Sequence, residues 1–123
     1  MKLQLAQNAG VNTITAYGAE YISVNGQRHT NNLLVLPDRL LIDWTLANSE
    51  TLTSADFALL AELDAEIILL GTGNRLRFPQ ASLMQPFVAA QKGLEVMDVQ
   101  AACRTYNILL SEGRKVAAAL LLA

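Results

Sequence analysis

The chain has 123 residues, of which 52% are apolar and 16% charged, and its formal net charge is −2. This length suits one domain around a single hydrophobic core, and the apolar content excludes an intrinsically disordered chain. The negative charge argues against nucleic acid as the main partner, because phosphate binding needs clustered lysine and arginine. So small a polar fraction leaves apolar surface to cover, which favours a homo-oligomer or a protein partner.

The single cysteine, Cys103, cannot form an internal disulfide, which fits a reducing compartment. The first residues lack the sustained apolar stretch of a signal peptide. The longest apolar run, residues 116–123, is shorter than the ~20 residues that span a bilayer. The sequence therefore predicts a cytoplasmic protein without membrane insertion.

Short antiparallel strands are predicted for the first half of the chain. Residues 1–12 are interpreted as a loosely ordered lead-in, and residues 13–123 as a single α/β domain. Strand formers at 14–17 and 21–24 precede Asn25-Gly26, which favours a two-residue hairpin turn. Two further short strands are expected, at residues 32–36, before Pro37, and at residues 41–44.

Helices and strands alternate in the second half. Thr53 or Ser54 caps a helix over about residues 54–63, and the apolar run 66–70 predicts a buried strand that ends at Gly71. Pro79 is predicted to open a second helix and Gly93 to end it.

A third helix is predicted between Asp98, its N-cap, and Gly113, its C-terminal stop. Its apolar face is formed by Val99, Ala102, Cys103, Tyr106, Leu109 and Leu110. A strand at 94–97 precedes it, and the segment 114–123 fits either a helix or a strand. Strands separated by helices call for parallel pairing. We therefore expect a mixed sheet with the helices on one side and the hairpins on the other.

The most site-like feature is the glycine segment Gly71-Thr72-Gly73 at the end of the buried strand. Ligands of open α/β sheets bind at the carboxyl ends of strands, and free backbone amides there can hold an anion. A dinucleotide fingerprint would need glycine where Leu76 stands, and a phosphate-binding loop would need a Gly-Lys-Ser/Thr ending. The alternative interpretation is a tight strand exit that only glycine can make.

Arginine and asparagine side chains are the remaining candidates for an anion site. Arg75 follows the glycine segment, and Arg104 and Asn107 share the polar face of the third predicted helix. If that face meets the glycine segment, guanidinium and amide groups could bind a carboxylate or phosphate. The alternative is a solvated face with loose ion pairs. The candidate anion-binding residues are therefore Gly71, Thr72, Gly73, Arg75, Arg104 and Asn107.

Residue types give catalytic and metal sites little support. Cys103 is predicted to be a buried structural thiol, since a nucleophile needs exposure and a cationic neighbour. His29, the single histidine, is predicted at the surface without a triad partner. The carboxylates show no ligand-type spacing. We assign no catalytic residue, no metal site and no cofactor, and favour a binding protein over an enzyme.

Several segments together resemble a known domain family. The resemblance is carried by the glycine segment and by residues 93–98, 102–107 and 112–120, with Gly18, Tyr21, Asn25-Gly26, Pro37 and Trp44 in the first half. The family is of unknown function and includes mitochondrial complex I assembly factor three and the adipogenesis-associated domain protein, with many uncharacterised bacterial and archaeal members. The resemblance implies a three-layer β/β/α domain whose last segment is a strand.

The same resemblance implies an interaction or assembly domain, linked to respiratory complex I biogenesis, with a protein partner of unknown identity. It supplies no reaction. The alternative is a small-anion-binding protein or enzyme that uses a pocket at Gly71–Gly73. A third hypothesis is a structural subunit that only self-associates.

Overall fold

The structure is a computed structural model and describes residues 11–122. Its strands are β1 (Ile14–Tyr17), β2 (Ile22–Val24), β3 (Gln27–His29), β4 (Leu33–Leu36), β5 (Arg39–Ile42), β6 (Ile67–Thr72), β7 (Leu94–Met97) and β8 (Val116–Leu121). Its helices are α1 (Ser54–Ala61), α2 (Gln85–Ala90) and α3 (Val99–Ser111), and a 3₁₀ turn at Ala81–Met84 precedes α2.

The strands form two sheets. Sheet A has three strands in the order β1-β2-β3, and sheet B has five in the order β5-β4-β8-β6-β7. In sheet B, β8 is antiparallel to β4 and parallel to β6, which is also parallel to β7. The mixed central sheet, the N-terminal antiparallel hairpins and the C-terminal parallel units are thus confirmed, and the last segment is a strand.

Local signals correctly located the hairpin and the caps. Asn25 and Gly26 both have positive φ angles, 53° and 83°, as a two-residue turn of this kind requires. Thr53 forms a reciprocal capping box with Asp56 at the start of α1. The Asp98 carboxylate accepts a hydrogen bond from the Ala101 amide, 2.8 Å away, and so caps α3.

The two faces of sheet B pack against different elements. Leu34 and Leu70 face α1 and α2, whose Phe57 and Phe87 are buried there. Leu69 lies on the opposite face, which packs against both α3 and sheet A. The three-layer β/β/α arrangement is therefore confirmed, but α3 shares its layer with the hairpins, contrary to the expectation that all helices lie on one side.

The order of the strands explains the position of α3. From β6 the chain moves outward to β7 and then returns across β6 to β8. Crossovers between parallel strands are right-handed, so a reversal of direction along the sheet moves the connecting helix to the opposite face. No local sequence pattern encodes the order of the strands, so the face on which α3 lies could not be predicted from the sequence.

The second helix begins and ends elsewhere than predicted. Gln80 is still extended, and α2 begins at Gln85 with Pro86 in its first turn. The helix stops because Gln91 adopts a left-handed φ of 58°, so Gly93 is not its end. Pro79 and Pro86 both suit a helix start, and local chemistry alone could not choose between them.

Asn12 already belongs to the folded part of the chain. Its side-chain amide donates to the carbonyl oxygens of Leu36 and Arg39, each 2.9 Å away. The buried Tyr106 hydroxyl donates to the Asn12 carbonyl at 2.7 Å. Residues 1–10 of the predicted lead-in lie outside the described residues, and the domain division stays a prediction.

Candidate functional site

The glycine segment is largely part of β6 and not an open loop. Gly71 pairs with Met97 and Leu120 of the neighbouring strands, and Thr72 is the last residue of β6. Gly73 leaves the strand with a φ of 84°, and all three residues are buried. The Thr72 hydroxyl donates to the Arg75 carbonyl at 2.7 Å and accepts from the Arg77 amide at 3.1 Å. These bonds tie the strand exit to the following loop.

The same segment holds the start of α3. The Gly73 carbonyl accepts the Val99 amide at 2.8 Å, and Asp98 already caps the next turn. A Cβ atom on Gly71 would lie 3.0 Å from the Val99 Cα and 3.1 Å from the Ala102 Cβ. Gly71 therefore allows α3 to approach β6 closely, which is a packing role. Its assignment to a ligand stays a prediction.

Replacing Gly71 by alanine tests this role. We expect Gly71→Ala to lower the free energy of unfolding by about 1–3 kcal/mol, because the added methyl overpacks against the α3 backbone. Gly93→Ala is the matched control: no atom lies within 4 Å of its added Cβ, and its φ is not positive. Urea unfolding of both variants measures the difference, and equal stabilities would contradict the packing role.

The arginines that follow the glycine segment are exposed. The Arg77 guanidinium lies 2.9 Å from the Glu50 carboxylate and so joins two surface loops. Arg75 has no carboxylate within ion-pair distance among residues 11–122. In the cavities that we describe, neither side chain is joined by Gly71, Thr72 or Gly73.

Asn107 is occupied by a structural contact with β1. Its amide oxygen accepts the Ile14 amide at 3.1 Å, and its amide nitrogen donates to the Ile14 carbonyl at 2.7 Å. Arg104, on the same helix, donates to the Tyr17 hydroxyl at 3.4 Å, a contact that raises the pKa of Arg104 further. Both residues therefore face sheet A, and no cavity that we describe brings them together with the glycine segment. Their assignment to a ligand stays a prediction.

Burial decides the chemistry of the thiol and of the histidine. Cys103 is buried as predicted, and desolvation raises the pKa of its thiol to about 12, so the thiolate is scarce at neutral pH. His29 was predicted at the surface, but its exposed fraction is 8%. It pairs with Ile22 across the hairpin and shares that residue's inward face, and its Nε2 has no hydrogen-bond partner among the described residues.

A cavity of about 660 Å³ lies beyond the carboxyl ends of β6 and β8; we call it the carboxyl-edge cavity. Sheet A and its flanking turns supply four of its lining residues, which are Glu20, Tyr21, Arg28 and Thr30. The edge of sheet B supplies the others, which are Asn32, Asn74 and Leu122. The predicted edge of the sheet therefore does carry a cavity, but its walls differ from the residues chosen from the sequence.

A second cavity, of about 470 Å³, lies between the two loops that the Arg77–Glu50 ion pair joins; we call it the loop cavity. Leu52, Pro79 and Leu83 supply apolar lining. Phe78 lies at its rim, and 73% of this residue is exposed. An exposed phenylalanine beside an apolar depression is typical of a surface that another molecule covers.

Sequence reasoning missed the principal residues of both cavities, although signals for them existed. The Asn25-Gly26 turn fixes the hairpin register, which opposes Ser23 to Arg28 and so places Tyr21 diagonally across from Arg28. The segment around Phe78 has neither helical nor strand periodicity. This indicates that its large apolar side chain does not belong to the buried face of a helix or strand.

Membrane-spanning helices and metal-ligand clusters are both absent from the part of the chain that the structure describes. None of the helices found between residues 11 and 122 has the length and apolar character needed to cross a bilayer. Within the same range, no cluster of three or more histidine, cysteine or acidic side chains is placed to hold a metal ion.

Comparison with known proteins identifies relatives over most of the chain. Human NADH dehydrogenase [ubiquinone] 1 alpha subcomplex assembly factor 3 is 32% identical over 110 residues, which are 88% of this chain. The chain spans only 59% of that protein's length. An uncharacterised protein of Rhodobacter capsulatus is 32% identical over 92% of this chain and 86% of its own.

A solved structure and a family model also match this chain. The crystal structure of a Bordetella parapertussis protein superposes with a TM-score of 0.83 at 38% identity, and covers 91% of this chain and 96% of its own. Residues 14–121 match the model of a family described as "Protein of unknown function (DUF498/DUF598)". That match covers nearly all of the described residues, and the chain therefore belongs to this family.

Proposed function

We propose that this protein is a non-enzymatic interaction domain that assists the assembly of a larger protein complex. The observation that carries the proposal is Phe78, which is largely exposed at the rim of the loop cavity. Aromatic side chains are enriched among the residues that dominate protein interfaces, where they fill pockets of a partner or receive it on their faces. Leu52 and Leu83 add apolar surface beside it.

The partner that fits this surface is a protein with an apolar segment. The loop cavity offers apolar walls flanked by one ion pair, Arg77–Glu50, which gives the apolar centre a polar rim. The related vertebrate proteins are named assembly factors of NADH dehydrogenase. We therefore place the partner among the subunits or assembly proteins of the respiratory NADH dehydrogenase. We also propose that the protein acts in the cytoplasm, because its single cysteine is unpaired, as is usual in a reducing compartment.

Substitution of Phe78 tests the proposal. Phe78→Ser is expected to abolish recovery of NADH dehydrogenase subunits with the tagged protein, and to lower membrane NADH:ubiquinone oxidoreductase activity to the level of the deletion strain. Val88→Ser is the matched control, because Val88 is 65% exposed on α2 but does not line the loop cavity. Both variants should fold, since surface substitutions usually change stability by less than about 0.5 kcal/mol.

A photoreactive benzoylphenylalanine in place of Phe78 or Val88 locates the contact directly. We expect position 78 to crosslink to an NADH dehydrogenase subunit or assembly protein, and position 88 to remain uncrosslinked. Normal oxidoreductase activity in the deletion strain would contradict the assembly role. Crosslinking of position 78 to a second copy of this chain would show a homo-oligomer in place of the heterologous partner.

A further inference from the structure

We propose that the carboxyl-edge cavity is a binding site for a small ligand that carries an oxyanion, a carboxylate or a phosphate group, and that Arg28 is its principal contact. The site is distinct from the loop cavity, to which we assign the protein partner. It also differs from the glycine-segment hypothesis, because its cation comes from the β2–β3 hairpin and not from Arg75 or from α3.

The topology of sheet B creates the site. β8 lies between antiparallel β4 and parallel β6, so the carboxyl ends of β6 and β8 and the start of β4 meet at one edge. Ligands of open α/β sheets bind in the crevice outside the carboxyl ends of their strands. Asn74 follows the exit of β6 and Leu122 follows β8, and both line the cavity.

Arg28 is held in place before any ligand arrives. Its guanidinium carbon lies 3.9 Å from the centre of the Tyr21 ring, a stacking contact between cation and aromatic face. The Tyr21 ring is in turn fixed against Gly18, where a side chain would collide with it. A guanidinium fixed through its face keeps its edge N–H groups free, and it loses less entropy when they bind a ligand.

No carboxylate satisfies Arg28 within the described chain. Neither Arg28 nor Glu20 has an oppositely charged group within 4.0 Å among residues 11–122. The two side chains line one cavity without forming an ion pair with each other. The guanidinium is therefore available for the bidentate contact that arginine makes with carboxylates and phosphates.

The neutral polar residues of the cavity differ in whether their side chains are already hydrogen-bonded within the protein. Asn32 is fixed: its amide donates to the Thr45 and Ala47 carbonyls, and its oxygen accepts the Leu122 amide. The side chains of Thr30 and Asn74 make no hydrogen bond within residues 11–122, so they can contact a ligand beside Arg28.

Glu20 restricts which ligands the carboxyl-edge cavity can bind, because it places a carboxylate in the cavity wall. A carboxylate on the cavity wall opposes a multiply charged anion but accepts hydrogen bonds from hydroxyl or ammonium groups. The cavity therefore suits a small molecule with one oxyanion and at least one nearby hydrogen-bond donor, such as a hydroxy acid, an amino acid or a singly charged phosphate ester.

The test is an NMR titration of the isotope-labelled protein with inorganic phosphate, lactate and glycine in separate experiments. We expect saturable shifts of the Arg28, Thr30 and Asn74 amides, with the preferred probe distinguishing phosphate from carboxylate ligands. Arg28→Ala should weaken binding by about tenfold or more, as the loss of a charged hydrogen-bond donor implies. Glu20→Gln should strengthen phosphate binding.

Arg114→Ala is the control, because it removes an exposed arginine that neither lines the cavity nor belongs to the candidate anion-binding residues, and it should leave the affinity unchanged. Equal loss in Arg28→Ala and Arg114→Ala would overturn the site, as would the absence of saturable shifts with all three probes. Arg28 is exposed, so its variant is expected to fold, and the unchanged dispersion of its amide spectrum verifies this.

Discussion

Replacing Phe57 by alanine is expected to lower the free energy of unfolding by about 3–5 kcal/mol, the usual cost of removing a fully buried aromatic side chain. Phe57 is 0% exposed and meets Phe87 edge to face, with ring centroids 6.3 Å apart. This contact joins α1 to α2 on one face of sheet B, and the lost ring would leave a cavity between the two helices. Urea unfolding followed by circular dichroism measures the change.

Phe78→Ala provides the matched control, since it removes the same side chain from an exposed position. Its expected effect on the free energy of unfolding lies within about 0.5 kcal/mol. A small loss for Phe57→Ala would mean that the two helices close around the vacated space. A large loss for Phe78→Ala would contradict its placement at the surface and with it the proposed interaction site.

Removing the Asn107 side chain is expected to cost about 2–4 kcal/mol of unfolding free energy. Asn107→Ala leaves the amide and the carbonyl of Ile14 without their partners, and each unsatisfied buried group costs about 1–3 kcal/mol. Gln100→Ala on the exposed face of α3 is the control and should be nearly neutral. Hydrogen exchange at Ile14 should quicken in Asn107→Ala alone.

The Asn107 variant also separates two interpretations of that residue. If Asn107 binds a ligand, its replacement lowers the affinity for that ligand and leaves the stability of the free protein intact. If Asn107 instead holds Ile14 in place, its replacement lowers the stability and leaves the binding of small anions at the carboxyl-edge cavity unchanged. A variant that remains as stable as the wild type would contradict the structural contact.

Features that depend on residues close together in the sequence could be predicted, and features that depend on residues far apart could not. The Asn25-Gly26 turn, the caps at Thr53 and Asp98, and the apolar face of α3 depend on residues within one or two turns of each other, and they are confirmed. The contact of Asn107 with Ile14 joins residues 93 positions apart, and no local pattern encodes it.

The candidate site shows the same division. The end of a buried strand drew attention to the carboxyl edge of the sheet, and a cavity lies at that edge. The predicted cations were Arg75, in the loop after that strand, and Arg104 on α3, and neither lines the carboxyl-edge cavity. The position of Arg104 could not be predicted, because the face of sheet B that α3 covers depends on strand order. His29 shows a smaller error of the same kind: its sequence neighbours are polar, but pairing with the buried Ile22 turns it inward.

The position of β8 has a consequence for synthesis on the ribosome. β8 is the last strand of the described chain, yet it lies in the middle of sheet B between β4 and β6. Until it emerges, the β4–β5 and β6–β7 pairs remain separate, and each presents an unpaired inner edge to other chains. Since synthesis proceeds from the N-terminus at about 5–20 residues per second, the nascent domain completes its central sheet only when its final strand has left the ribosome.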